Sequence, residues 1–529
     1  MQEEEAPLEV QLPAGRLRGR IRRGVAVFKG VPYAAPPVGD LRWRAARPHP
    51  GWSGTRDATA YGPSSPQMFV EGGDPVLGGH GRPPFDDDCL TLNVWTPAPD
   101  AARRPVLVWI HGGGFVSGSG SLPIYSGETF ARDGDLVVVT LNYRVGPLGY
   151  LSFADEADEA DEADEADEAD EVEVDAQPAN FWLTDQLAAL RWVRDNIDRF
   201  GGDPDRVTVA GQSGGALSAA ALAGHPEAQQ LFQRVILQSP PFGLHIPTAV
   251  EYRERVEAYL RFAGVKDADE LRRLPWPQLI EAAGGLFAHT TRWGYWPTPF
   301  LPVRDDATLF RHPARTLLEG PAADIDVLVG WTREEANFGF ALDPGYAQAT
   351  REQVVDRIAE TFGAGPAAEV YDEYARTRPG ARPVDVLMDL ITDELFRVPC
   401  LELAEARAGS GRPVWAYQFD LPTPAHEGRL AAAHCLELPF VFDNFDSWAH
   451  APLVEGIDPA VGRGLAQSMH RAWIAFARTG DPNHAGLPAW DPYRADTRTT
   501  MRFDSVTLPV DDLAGHARRL HGQRPAVFE

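Results

Sequence analysis

Arg206-Val207-Thr208-Val209-Ala210-Gly211-Gln212-Ser213-Gly214-Gly215 is the stretch on which the fold turns. Residues 206–210 are mostly β-branched and contain no breaker, which reads as a strand. Residues 216–223 are small and suit the start of a helix. Between them lies the pattern G-x-S-x-G. In a chain with 50 glycines, chance supplies roughly 0.3 copies of that pentapeptide, so the spacing alone decides little. Its place decides more. A strand running straight in and a helix running straight out predict a sharp turn that presents the serine hydroxyl at the carboxyl edge of a sheet.

The same alternation continues on both sides. Residues 105–110 (PVLVWI) run into His111-Gly112-Gly113-Gly114, and residues 136–141 (LVVVTL) run into Asn142-Tyr143-Arg144. Residues 235–237 precede Gln238-Ser239, and residues 326–329 precede Gly330. Continuous apolar runs bounded by turns suit strands covered on both faces, hence a parallel sheet flanked by helices and an α/β fold. Residues 185–200 place Leu187, Leu190, Val193, Ile197 and Phe200 on one helical stripe, with Thr184 or Asp185 as the cap and Gly201-Gly202 as the stop.

The chain has 529 residues, 44% hydrophobic and 24% charged, which is ordinary globular composition. No linker divides it. Residues 250–410 read as mostly helical insertions on one sheet, so residues 1–529 are expected to form a single domain. No apolar run approaches the roughly 20 residues of a membrane span. The N-terminus is acidic and lacks the apolar core of a secretory signal, so the expected location is cytoplasmic, or secreted with a signal removed.

Net charge is −27, which argues against a nucleic-acid partner. Twelve of the acids sit in residues 155–171, DEADEADEADEADEADE, and without them the net charge is −15. A period of three does not match a helix, and the carboxylates repel one another, so this insert reads as a solvated loop. Cys89, Cys400 and Cys435 form neither a disulfide framework nor a metal-ligand pattern.

A serine hydroxyl is a weak nucleophile without a base, and its attack on a carbonyl creates an oxyanion that needs donors already in place. His111-Gly112-Gly113-Gly114-Phe115 follows a strand and supplies glycine N–H groups for that task, with His111 itself structural.

With these segments together, the chain resembles the type B carboxylesterases, a family that includes bacterial para-nitrobenzyl esterases and the cholinesterases. The likeness runs nearly end to end. It includes Phe28-Lys29-Gly30-Val31-Pro32-Tyr33-Ala34, Leu41-Arg42-Trp43 and Asp88-Cys89-Leu90-Thr91-Leu92-Asn93-Val94. It is most specific over the sixteen residues from Phe200 to Gly215. The resemblance implies an α/β-hydrolase fold with a helical cap and a serine esterase acting on small-molecule esters without metal or organic cofactor. Ser213 matches the nucleophile. Gly330-Trp331-Thr332-Arg333-Glu334-Glu335 matches the acid segment, whose second acid is Glu335, with Glu334 as its rival. Residues 432–442 match the histidine segment and assign His434. Gly113, Gly114 and Gly214 take the oxyanion-hole positions, and Ser239 matches a serine that supports the acid.

The departures are as informative. Gln212 stands where the family usually has glutamate, and Gly214 replaces the usual alanine. Ser65 takes the place of a cysteine that pairs with the Cys89 position in many relatives. No tryptophan lies between Trp52 and Trp95, where cholinesterases hold a quaternary ammonium, so choline esters are not the expected substrates. An amidase or carbamate hydrolase would use the same triad. A non-catalytic adhesion relative is the third alternative, and it would lack the nucleophile.

Overall fold

The computed structural model describes residues 7–69, 74–79, 83–153, 179–305, 307–522, 524 and 528; the acidic insert 155–171 lies outside the described residues. The chain is an α/β protein, and its described residues form one sheet of thirteen strands. Strands β1 (Pro7–Leu12), β2 (Gly15–Arg22), β3 (Val25–Pro32), β4 (Thr55–Asp57) and β5 (Thr91–Thr96) form one wing. The centre is β6 (Arg104–Ile110), β7 (Val137–Leu141), β8 (Gly202–Gln212), β9 (Arg234–Gln238), β10 (Asp326–Thr332), β11 (Val414–Phe419) and β12 (Thr500–Phe503), and β13 (Leu508–Val510) closes the far edge.

In space the order is β1-β2-β3-β5-β7-β6-β8-β9-β10-β11-β12-β13, with β4 beside β2. Neighbours from β7 to β12 are parallel, while the β1-β2-β3-β5-β7 path and the β12–β13 pair are antiparallel; β4 lies parallel to β2. β8 sits near the middle, with Gly211 level with Ile110 on one side and Leu237 on the other.

The apolar runs are continuous because both faces are covered. Along β6, Val106, Val108 and Ile110 join one packed cluster while Leu107 and Trp109 join the other, the period of two expected of a strand. Helices Phe181–Asn196 and Gly214–Ala223 cover the first face, and helix Pro459–Thr479 covers the second with Met469, Trp473 and Phe476. A third cluster forms among helices Arg351–Phe362, Ala367–Thr377 and Pro383–Thr392. No helix among the described residues is long and apolar enough to cross a membrane.

The helix expected over 185–200 differs at its start. It begins at Phe181, and neither Thr184 nor Asp185 caps it. Asp185 is wholly buried and receives Arg144 in a two-pronged ion pair, with Nε–Oδ2 2.8 Å and Nη2–Oδ1 2.7 Å. The Arg144 N–H also donates to Oδ2 at 3.1 Å, so the carboxylate anchors the segment that leaves β7. Its last turn tightens to a 3₁₀ helix, Ile197–Phe200, and Gly201 stops it at φ +78°, as expected.

Removing one partner of a buried pair strands a charge in a dry site. Asp185→Ala should therefore cost about 3–5 kcal/mol in urea unfolding. A loss below about 1 kcal/mol would show that other groups compensate Arg144.

Candidate active site

Ser213 occupies the turn between β8 and helix Gly214–Ala223 with φ 57° and ψ −126°, a conformation rare for a residue with a side chain. Hydrogen bonds on both sides hold it there. Its N–H donates to Gln238 O at 2.8 Å, and its carbonyl accepts from Ala216 N at 2.9 Å and Leu217 N at 3.1 Å. The turn packs so closely on β6 that a Cβ at Gly215 would stand 2.2 Å from Ile110 O. Glycine is obligatory at that position. Gly214 has a different reason: its missing methyl leaves room for the Phe115 ring, which would be 3.1 Å from an added Cβ.

The glycine loop after β6 lies against this turn. A Cβ on Gly112 would be 3.1 Å from Ser213 Cβ, so only glycine lets the loop approach so near. Gly113 and Gly114 adopt φ 126° and 61°. Among the described residues the N–H groups of Gly113, Gly114 and Gly214 donate no hydrogen bond, which leaves them free for a ligand oxygen. His111 is structural, as expected. It is buried, stacked on Tyr143 at 4.4 Å, and pushed down to about 4 by desolvation.

His434 and Glu335 come from segments 99 residues apart and meet at Nδ1···Oε2 2.5 Å, both buried. The other Glu335 oxygen accepts from Thr332 N at 2.7 Å. Glu334 is turned elsewhere: its N–H donates to Ala432 O and its carboxylate accepts from Ala432 N, each at 3.1 Å, with Arg333 alongside. The rival acid thus stitches the acid loop to the histidine segment and places Glu335 opposite His434.

Ser239 falls short of its expected role. Among the described residues its buried hydroxyl has no hydrogen-bond partner, and the Glu335 oxygens are engaged by His434 and Thr332 instead. Its backbone does the work, with N–H donating to Gly330 O at 2.8 Å and φ at 48°.

Three features were not foreseen from the sequence. Trp296, Phe338 and Phe396 form an aromatic wall around His434, with ring centroids 5.8, 5.9 and 5.2 Å from the imidazole. The aromatic run around Trp296 and the position of Phe338, three residues past Glu335, were the available signals. Glu437 is buried behind the histidine, accepts from Gln238 Nε2 at 3.1 Å, and is pushed up to about 7 by desolvation and the neighbouring Glu335 carboxylate. Gln212 reaches His434, with its Nε2 2.9 Å from the imidazole Nε2. A separate cavity of about 820 Å³, lined by Tyr33, His49, Trp52 and Trp192, contains none of these groups.

The model of the carboxylesterase family matches residues 6–515. The chain belongs to the carboxylesterase family. This carboxylesterase is 51% identical over 506 residues to phenmedipham hydrolase of Pseudarthrobacter oxydans, covering 96% of this chain and 95% of that one. It is 36% identical to para-nitrobenzyl esterase of Bacillus subtilis over 94% and 95% of the two chains. Its fold superposes on a carboxylesterase crystal structure from Geobacillus stearothermophilus with TM-score 0.83 at 37% identity, covering 97% and 99%. The fold is therefore that of the α/β hydrolases, and the protein is a carboxylic ester hydrolase.

Proposed function

We propose that Ser213, His434 and Glu335 carry out this hydrolysis within one α/β-hydrolase domain. His434 Nε2 takes the Ser213 proton as Oγ bonds to the ester carbonyl carbon, and the carbonyl oxygen becomes an oxyanion held by the N–H groups of Gly113, Gly114 and Gly214. Collapse of this intermediate breaks the bond to the alcohol, which leaves with the proton from His434. Water then attacks the acyl-enzyme, giving its proton to His434, and Ser213 is regenerated as the acid departs. Glu335 keeps the Nδ1 proton in place and stabilises the imidazolium. No step calls for a metal or organic cofactor.

The observation that carries this reading is the meeting at one sheet edge of three things: a strained serine turn, a row of unengaged glycine N–H groups, and an imidazole whose Nδ1 is already bonded to a buried carboxylate. The aromatic wall of Trp296, Phe338 and Phe396 favours flat or apolar acyl and aryl groups beside the imidazole. Initial rates on nitrophenyl esters from acetate to palmitate, with an anilide, an aryl carbamate and phenmedipham alongside, test it. Esters should be turned over fastest. Turnover of the anilide or carbamate with none of the esters would move the reading to an amidase or carbamate hydrolase.

The same panel addresses cationic substrates. Butyrylcholine should give a lower kcat/KM than an uncharged butyrate ester, because cation–π binding of up to about 2 kcal/mol has no tryptophan to supply it between Trp52 and Trp95. The net charge of −27 steers cations the other way, so the comparison belongs in high salt. Equal rates there would overturn the prediction.

A further inference from the structure

Two of the three rings around His434 are tied together by one buried guanidinium. Arg357, on helix Arg351–Phe362, is 5% exposed. Its Nε donates to Gly294 O at 3.0 Å, and Gly294 stands two residues before Trp296. Its Nη2 pairs with Glu394 Oε2, while Nη1 donates to Glu394 Oε1 at 3.4 Å and to Thr361 Oγ1 at 2.9 Å. Glu394 stands two residues before Phe396, in the π-helical turn Asp393–Arg397. Arg357 thus joins the segment that carries Trp296 to the turn that carries Phe396. The two rings meet at 5.7 Å and 74°, and each also packs on the imidazole.

The surroundings of the guanidinium leave it little freedom. Gly294 adopts φ 76°, and a Cβ there would stand 3.2 Å from Arg357 Cδ. The Tyr295 ring lies 3.9 Å from the guanidinium carbon. From its other side Gly294 donates its N–H to Tyr346 Oη at 3.0 Å, and Trp293 stacks on the Tyr346 ring at 5.7 Å. A planar fork can grip a carbonyl with Nε and a carboxylate with its Nη groups at once, whereas an ammonium is a single point of charge.

We propose that Arg357 is a positioning residue for substrate selection. It holds Trp296 and Phe396 at the separation that makes one flat apolar surface beside His434, and that surface favours esters with an aryl group on the acyl or the alcohol side. The inference deepens, and rests on, the reading of Ser213 and His434 as nucleophile and base.

The test follows two ratios of kcat/KM: nitrophenyl benzoate over nitrophenyl acetate for the acyl side, and naphthyl butyrate over ethyl butyrate for the alcohol side. Arg357→Met should lower at least one of them by about three- to tenfold, through KM more than kcat, the scale of a lost aromatic contact. Arg357→Lys restores the charge beside Glu394 and should recover most of the melting temperature lost in Arg357→Met. With one nitrogen for two anchors, it should leave the ratio low. It also carries the test if Arg357→Met does not fold. Fluorine NMR of protein containing 5-fluorotryptophan reads the ring without turnover: the Trp296 signal, assigned with Trp296→Phe, should move in Arg357→Lys. Selectivity that returns together with stability in Arg357→Lys, an equal fall for every ester, or an unmoved Trp296 signal would overturn the proposal and leave Arg357 a stabilising ion pair. Ser213→Ala serves as the control. If it kept its turnover, the triad reading itself would fail, whereas an inactive Ser213→Ala beside unmoved ratios would sink only this inference.

Discussion

Ser213→Ala should lower kcat by about 10⁶ on a nitrophenyl ester while the thermal melt stays near that of the wild type. The size follows from what is lost. Without Oγ there is no atom to form the acyl-enzyme, and only the glycine donors and substrate binding still act. The fold should survive because the turn is held by backbone groups: Ser213 N on Gln238 O, Ser213 O on the next helical turn, and Gly215 against Ile110 O. Alanine meets the same φ of 57° that serine already tolerates. An organophosphonate should label the wild type once, at Ser213, as read by peptide mass spectrometry. A variant keeping a tenth of the activity, or an adduct on another serine, would remove Ser213 from its assigned role.

The second large effect is expected at Glu335. In Glu335→Gln the amide must choose. If its oxygen stays on Thr332 N, its NH₂ faces His434 Nδ1, forces the hydrogen onto Nε2 and removes the base from Ser213. If it flips, the NH₂ abuts the Thr332 N–H, a donor against a donor. A loss of up to ~10⁴ in kcat is expected from the wrong tautomer. Glu334→Gln should change kcat by less than about threefold, because an amide oxygen still accepts from Ala432 N and the Arg333 guanidinium that loses its partner is exposed to water. Measuring kcat for both variants on one ester separates the two acids. A large loss at Glu334 with none at Glu335 would exchange their roles.

Much of this architecture was legible locally. Strands covered on both faces carry unbroken apolar runs, so β6, β7, β8, β9 and β10 could be found from composition, and Gly201 marked the helix end through the one conformation it alone adopts freely. The G-x-S-x-G turn is also a local object, since its strand, serine and helix are contiguous. The acid and histidine were legible only through resemblance, because nothing within either segment announces a partner 99 residues away.

What tertiary structure decided is the choice of partner for each polar side chain. Asp185 has the chemistry of a helix cap, yet the helix begins four residues earlier at Phe181, and the carboxylate goes to Arg144, 41 residues back, through both its guanidinium and its backbone N–H. Ser239 has the chemistry of an acid support, yet Thr332 N reaches Glu335 first. The wall around His434 is assembled from residues 296, 338 and 396, which share no local pattern, and the Gln212 amide meets an imidazole 222 residues further on. By itself the sequence determined the sheet, the serine turn and the residue types for the chemistry, since these depend on neighbours along the chain. Which acid faces the histidine, what encloses it and what occupies its free nitrogen depend on distances between remote segments, and only packing sets those.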